Sequence, residues 1–105
     1  KFINIIKEMK NYVGIDLSPD FIKTAQEVYP DKKFITTRME DYNPDKKFDW
    51  GICSSIKGMI MRENGEEDWY EKEEHLKTIC KKILILEYSD ALSDDYVATE
   101  IIEGK

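Results

Sequence analysis

The sequence predicts one α/β domain with a mainly parallel sheet, and three observations support that fold class. Segments of helical periodicity alternate along the chain with short apolar segments typical of strands. The apolar segments are close to continuous, which is the pattern of parallel strands buried on both faces. The 105 residues are enough for one hydrophobic core, so we expect a single domain over residues 1–105.

The first half of the chain predicts two helices and two strands. Residues 1–10 predict an amphipathic helix, because its apolar side chains recur at helical spacing: Phe2, Ile5, Ile6 and Met9. Residues 12–17 (YVGIDL) predict a strand. Ser18 is a favourable N-cap and Pro19 a favourable first residue for the next helix, which we expect to stop before Pro30. Residues 34–37 predict the second strand.

The second half predicts two further strands, a loop and two helices. Residues 48–54 (FDWGICS) predict a strand, and residues 57–67 predict a loop because Gly58 and Gly65 interrupt any period. A helix follows over residues 66–81, an apolar strand over 82–88 (KILILEY) and a final helix over 94–103. We expect strand 12–17 to pair in parallel with 34–37, and strand 48–54 with 82–88. The two inner edges would be completed by another segment, by a second chain or by each other.

Composition and charge exclude several classes of function. The net charge is −6, and the residues from Glu63 onward carry a balance of −8, which disfavours nucleic-acid binding. No apolar run approaches the roughly 20 residues that cross a bilayer. The two cysteines and the single histidine have neither zinc-site nor disulfide-framework spacing. We therefore expect buried, reduced cysteines, no metal, no membrane association and a cytoplasmic location.

Ligands of parallel sheets bind beyond the carboxyl ends of the strands. That rule selects Asp16, the residues after Thr37, the pair Ser54 and Ser55, and Glu87. The carboxylate of Asp16 has the chemistry to accept two hydrogen bonds from the vicinal hydroxyls of a ribose. The alternative is that Asp16 only accepts hydrogen bonds from nearby backbone amides, and both interpretations are open at this point.

Four segments resemble class I S-adenosylmethionine-dependent methyltransferases, over residues 1–90. VGIDLSPDFIKTA resembles the second strand and following helix of that family, and FITTRMEDY resembles the third strand and the loop beside the adenine. FDWGICSSI resembles the fourth strand, and KILILEYSD the fifth. The resemblance implies a Rossmann-like three-layer α/β/α fold. It also implies a methyltransferase that transfers the methyl group of S-adenosylmethionine to a small-molecule or metabolite-like acceptor.

One feature of the family has no counterpart in this sequence. Family members begin with a strand and a glycine-rich loop (GxGxG), and none of the five glycines forms such a motif. We therefore expect the sequence to cover part of a methyltransferase domain. Because the missing loop approaches the methionine end of the cofactor, we expect weak binding of S-adenosylmethionine by these residues alone.

The resemblance also implies which residues contact the cofactor. Asp16 would bind the ribose hydroxyls, and Leu17 would pack beside the adenine. Met39 would offer its backbone amide and side chain to the adenine ring. Glu40 is the nearest candidate acid on that side, because Arg38 stands where many members carry an acid. The residues implied to border the methionine moiety are Cys53, Ser54 and Ser55.

No catalytic residue is assigned from the sequence. His75 has the chemistry of a general base but lies on an acidic helix, away from a strand end. Glu87 is better placed near a substrate, and residues 57–65 form either a cover over the substrate or an ordinary surface loop. Two alternatives stay open. One is a catalytically degenerate fold that acts as an interaction or regulatory module through its acidic second half. The other is a nucleotide-binding half that uses Asp16 on NAD.

Overall fold

The computed structural model describes residues 9–90 and 93–105. The chain divides into two compact units, residues 1–42 and residues 43–105. The assignment of both units to one domain stays a prediction. Most of the predicted opening helix, residues 1–10, lies outside the described residues.

The first unit contains two parallel strands with a helix between them. Strand β1 spans Val13–Asp16, helix α1 Pro19–Val28, strand β2 Lys33–Thr36 and a short 3-10 helix Met39–Asp41. β1 and β2 pair in parallel, with Gly14 opposite Phe34 and Asp16 opposite Thr36. The two predicted strands and their parallel pairing are confirmed, with bounds that differ by one residue at each end.

Local sequence chemistry fixes the ends of α1. Ser18 is the N-cap, its Oγ accepts a hydrogen bond from the backbone N–H of Phe21 at 3.2 Å, and Pro19 is the first helical residue. At the other end, the side-chain amide of Gln26 donates to the carbonyl oxygens of Tyr29 and Lys32, at 3.2 and 2.8 Å. These contacts satisfy the carbonyl groups of the turn that leads into β2.

A glycine in β1 permits close packing against β2. A Cβ atom at Gly14 would lie 2.6 Å from Cδ1 of Phe34, which is closer than non-bonded carbon atoms approach one another. The ring of Phe34 therefore lies directly against the β1 backbone. Tyr12 packs edge-on to the same ring, with centroids 5.9 Å apart, so an aromatic cluster covers this face of the strand pair.

The second unit is a three-stranded sheet with two helices. Its elements are β3 (Phe48–Ser54), α2 (Lys57–Asn64), α3 (Glu66–Ile79), β4 (Cys80–Asp90) and β5 (Ser93–Glu103). The strand order is β3-β4-β5. β3 and β4 are parallel, as predicted, with Cys53 opposite Ile85 and Ser54 opposite Leu86. β5 runs antiparallel to β4.

The buried apolar residues lie in this second unit, among residues 9–87 and 98–105, whose side-chain burial is described. They are Cys53, Ile60, Trp69, Leu76, Ile79, Cys80, Ile83 and Ile85. Three of them, Trp69, Ile83 and Ile85, have no exposed surface at all. Ile83 and Ile85 alternate along β4, Cys80 is the first residue of that strand, and the other core residues come from both helices and from β3. The core therefore lies between α2, α3 and one face of the sheet.

The prediction of a loop over residues 57–67 was wrong. Residues 57–64 form α2, and Gly65 separates it from α3 with a φ of +92°. The two glycines therefore have different roles, because Gly58 lies inside a helix whereas Gly65 occupies a left-handed region that favours glycine. Ile60 is 6% exposed, so burial of this one side chain helps to stabilise a helix that has a weak apolar periodicity.

The prediction of a helix over residues 94–103 was also wrong, since these residues belong to β5. The apolar residues are spaced as two doublets, which fits a helix. In the structure Ile101 pairs with Leu84 and Ile102 with Ile83 across the antiparallel ladder. Pairing with a distant strand, together with β-branched residues that favour strands, overrides the helical pattern.

The sheets as a whole are therefore mixed rather than purely parallel. Two of the three observed pairings are parallel and the third is antiparallel. Among the described residues β1 pairs only with β2, and β3 only with β4. The chain has a mixed α/β fold, and the completion of the inner edges by another strand or chain stays a prediction.

Candidate functional site

The carboxyl end of β1 presents the Asp16 side chain in a fixed position. Its Oδ1 accepts a hydrogen bond from the backbone N–H of Ser18 at 2.8 Å. Its backbone oxygen accepts one from the N–H of Thr37 at 3.0 Å. In the described part of the chain, Oδ2 accepts no hydrogen bond. One carboxylate oxygen thus fixes the orientation of the side chain, and the other retains its full capacity to accept.

The other predicted residues of the first unit lie beside Asp16. The hydrogen bond between Asp16 and Thr37 brings the ends of β1 and β2 together, and the 3-10 helix that contains Met39 and Glu40 starts two residues later. Leu17, next to Asp16, is 67% exposed. Arg38 is exposed, and Met39 and Glu40 are half-buried. The structure therefore brings the four predicted residues of this unit to one edge of the strand pair.

The carboxyl end of β3 carries an unusual serine. Ser55 has a φ of +56°, the left-handed region that non-glycine residues rarely occupy. Its backbone N–H donates to the carbonyl oxygen of Leu86 at 2.8 Å. The Oγ atom of Ser55 is buried and has no hydrogen-bond partner in the described structure. A strained backbone and an unpaired buried hydroxyl at the same residue are typical of functional positions.

The Cys53 side chain lies in the core of the second unit. It is 5% exposed, and burial raises the pKa of its thiol from 9.0 to about 12. Burial also raises the pKa of the Cys80 thiol. Both cysteines are free, so the expectation of buried, reduced cysteines is confirmed. Since only a thiolate is a strong nucleophile, neither thiol is activated for nucleophilic chemistry.

Glu87 lies at the carboxyl end of β4 and contacts the start of α2. Its Oε1 accepts a hydrogen bond from the backbone N–H of Gly58 at 3.3 Å. The neighbouring residue Lys57 makes an ion pair with Glu100 of β5, with an Nζ–Oε1 distance of 2.9 Å. Its Nζ also lies 5.8 Å from the ring centroid of Trp69. The hydrogen bond to Glu100 is the largest cause of a raised pKa for Lys57, so this side chain stays charged.

The sequence indicates only part of this arrangement. The position at a strand end selects Glu87, but Lys57 and Gly58 lie in the predicted loop and Glu100 lies in the predicted final helix. A helix over residues 57–64 would have placed Lys57 at its start, next to the strand end that carries Ser55. No local signal indicates the left-handed backbone of Ser55.

His75 lies away from the strand ends considered above. It is on α3 one turn before Ile79, where the chain enters the amino end of β4. Within residues 9–90 and 93–105, no group of three histidine, cysteine or acidic side chains is arranged to hold a metal ion. The helices of this described part are all too short or too polar to span a bilayer.

No protein-family model matches the sequence, and no curated protein matches it. Solved structures do match. A crystal structure of an S-adenosylmethionine-dependent methyltransferase from Clostridium acetobutylicum ATCC 824 is similar with a TM-score of 0.67 and 16% sequence identity, over 84% of this chain and 38% of that one. The 2.2 Å crystal structure of WbdD is similar with a TM-score of 0.60 and 18% identity, over 81% of this chain and 21% of that one.

Another structure of WbdD, described as a bifunctional kinase-methyltransferase, gives the same TM-score, identity and coverage. At these identities the likeness shows the fold, which is methyltransferase-like. The present chain spans 38% of the first matched protein and 21% of the second.

Proposed function

We propose that this chain is part of an S-adenosylmethionine-dependent methyltransferase that acts on a small-molecule acceptor. The observation that carries the proposal is the geometry of Asp16 in a chain with a methyltransferase-like fold. A carboxylate that is oriented by one backbone amide, with its second oxygen open, is suited to bind the hydroxyls of a ribose. The bond to Ser18 is compatible with both interpretations of Asp16, because it uses only one of the two carboxylate oxygens.

The chemistry of the donor set fits the cofactor. In the first unit, Leu17 offers exposed apolar surface for an adenine ring, and Met39 is the first residue of the 3-10 helix that follows β2. In the second unit, the unpaired Oγ of Ser55 is a polar group that a bound ligand would satisfy. We propose that Asp16, Leu17, Met39 and Glu40 of the first unit hold the adenosine part. The family resemblance implies the residues that border the methionine part, which are Ser54, Ser55 and the backbone at Cys53 of the second unit.

The residues of the chain would act by binding and orientation. When bound, S-adenosylmethionine supplies an electrophilic methyl group for in-line displacement by an acceptor. Asp16 would fix the ribose, and Ser55 would orient the methionine end through its hydroxyl. The buried Cys53 stays protonated, so it would contribute shape rather than a charge.

The test is ligand-observed NMR with S-adenosylmethionine, a method that detects weak binding. Asp16→Asn keeps an oxygen for the Ser18 amide but removes the second acceptor, so we expect a loss of about 1.5–3 kcal/mol of binding free energy, or a tenfold or larger rise in Kd. Asp20→Asn is the matched control, because Asp20 lies in the first turn of α1. We expect it to leave the affinity unchanged.

Three outcomes distinguish the alternatives. Saturation transfer to the adenosine protons that Asp16→Asn abolishes and Asp20→Asn does not would support the proposal. Displacement of S-adenosylmethionine by equimolar NAD would favour a nucleotide-binding half that uses Asp16 on NAD. Failure of the chain to bind either ligand would refute cofactor binding by these residues and favour an interaction or regulatory module.

A further inference from the structure

The start of α2 lacks a cap from its own segment. Its N-cap residue is Ile56, with a φ of −104° and a ψ of −45°, and the Ile56 side chain accepts no hydrogen bond from the helix backbone. Exposed backbone N–H groups at a helix start need an acceptor, and a negative charge is favourable there. Glu87 meets both needs from a different element, because its Oε1 accepts from Gly58 at 3.3 Å.

Two consecutive residues of β4 bind the two ends of the turn between β3 and α2. The carbonyl oxygen of Leu86 accepts from the N–H of Ser55 at the beginning of the turn. The side chain of Glu87 accepts from the N–H of Gly58 at its end. The strained residue Ser55 lies between β3 and this second contact. Because a left-handed serine is unfavourable by itself, the surrounding contacts must hold it.

A second ion pair supports the same helix start from β5. Lys57 bonds Glu100 at 2.9 Å, and Glu100 lies opposite Ile85 in the antiparallel ladder. Glu87 follows Ile85 by two positions and so lies on the same face of the sheet. Ile85 has no exposed surface, which identifies this as the face covered by the helices. The two carboxylates therefore flank the start of α2 from adjacent strands.

We infer that Glu87 is a positioning residue for the cofactor site. By capping α2, Glu87 holds the Ser55 turn in its left-handed conformation. This inference rests on the proposed function. Glu87 itself need not touch the ligand, because it acts through the backbone of Gly58. Its loss should allow residues 55–58 to relax and move the Ser55 hydroxyl away from the ligand.

The experiment compares three variants of the chain by two measurements. Glu87→Ala removes the acceptor, Glu87→Gln keeps an oxygen acceptor, and Glu74→Gln is a control at an exposed ion-pairing acid of α3. Amide hydrogen exchange at Ser55 and Gly58 reports the turn, and ligand-observed NMR with S-adenosylmethionine reports affinity. For Glu87→Ala we expect exchange at both amides and the Kd each to rise about fivefold. For Glu87→Gln we expect a rise of less than twofold, and for Glu74→Gln none.

The outcomes separate this inference from the proposed function. Faster exchange in Glu87→Ala with an unchanged Kd would show that Glu87 only stabilises α2, and would overturn the inference. Unchanged exchange at Ser55 would overturn it as well. If the unvaried chain does not bind S-adenosylmethionine, the proposed function fails, and the positioning role fails with it. Loss of affinity in Glu87→Ala that Glu87→Gln restores would support both.

Discussion

Replacement of Ser55 by glycine should make the protein more stable and the cofactor site weaker. Two local penalties would disappear. A non-glycine residue in the left-handed region costs about 1–2 kcal/mol, and a buried hydroxyl without a partner costs about 1–3 kcal/mol. Glycine adds about 0.5–1 kcal/mol of chain entropy to the unfolded state, which acts in the opposite direction. The net gain should be about 2 kcal/mol in the free energy of unfolding.

Urea unfolding followed by tryptophan fluorescence measures this gain. Both tryptophans, Trp50 in β3 and Trp69 in α3, belong to the second unit and report its unfolding. With a urea dependence of about 1–3 kcal/mol per molar for small proteins, the midpoint of Ser55→Gly should rise by about 1 M. Ser55→Ala removes the hydroxyl but keeps the strained backbone, so its rise should be about half as large.

A matched variant at the preceding residue provides the control. Ser54 does not have a positive φ, so Ser54→Gly should lower the free energy of unfolding by about 0.5–1 kcal/mol, the usual effect of glycine in a strand. In the same samples, Ser55→Gly should weaken S-adenosylmethionine binding because the hydroxyl is lost. If Ser55→Gly and Ser54→Gly destabilise the protein equally, the argument from strain is refuted.

Two further predictions use the same unfolding assay. Gly58→Ala should raise the free energy of unfolding by about 0.5–1 kcal/mol, because the added Cβ would meet only ordinary contacts at 3.5 Å. Gly65→Ala should lower the free energy of unfolding by about 1–3 kcal/mol, because φ is +92° at that position. Equal effects at the two positions would contradict the assigned conformations. The second prediction concerns Cys53, whose thiol pKa is raised from 9.0 to about 12. The unfolded chain loses that proton above pH 9.0 while the folded chain retains it, so stability should fall as pH rises from 9.0 to 12, and Cys53→Ala should weaken that dependence.

Local chemistry made part of the fold predictable. Ser18 and Pro19 mark a helix start through their own side chains. The strand predicted over residues 48–54 has the observed bounds, because turn residues border that segment of the sequence. Asp16 is also predictable from local sequence, because it lies at the end of an apolar strand and no knowledge of distant contacts is needed to locate it. Parallel pairing followed from the alternation of elements.

The incorrect predictions concern segments that distant residues stabilise. Helix α2 depends on Glu87, which is 29 positions beyond Gly58, and on Glu100, which is 43 positions beyond Lys57. β5 depends on pairing with β4. A local periodicity cannot indicate such contacts, because they form only when the sheet is assembled. The left-handed backbone of Ser55 belongs to the same class, since serine rarely adopts it without support from its surroundings.

A protein-observed NMR titration with S-adenosylmethionine tests the cofactor site most directly. In the ¹⁵N-labelled chain, we expect the largest amide shifts at the carboxyl ends of β1 and β3, from Asp16 to Ser18 and from Ser54 to Ile56, together with Met39. Glu66 and the other amides at the acidic start of α3 serve as the internal reference and should not move. Shifts confined to α3, or no shifts at millimolar ligand, would contradict the cofactor site assigned to these strand ends.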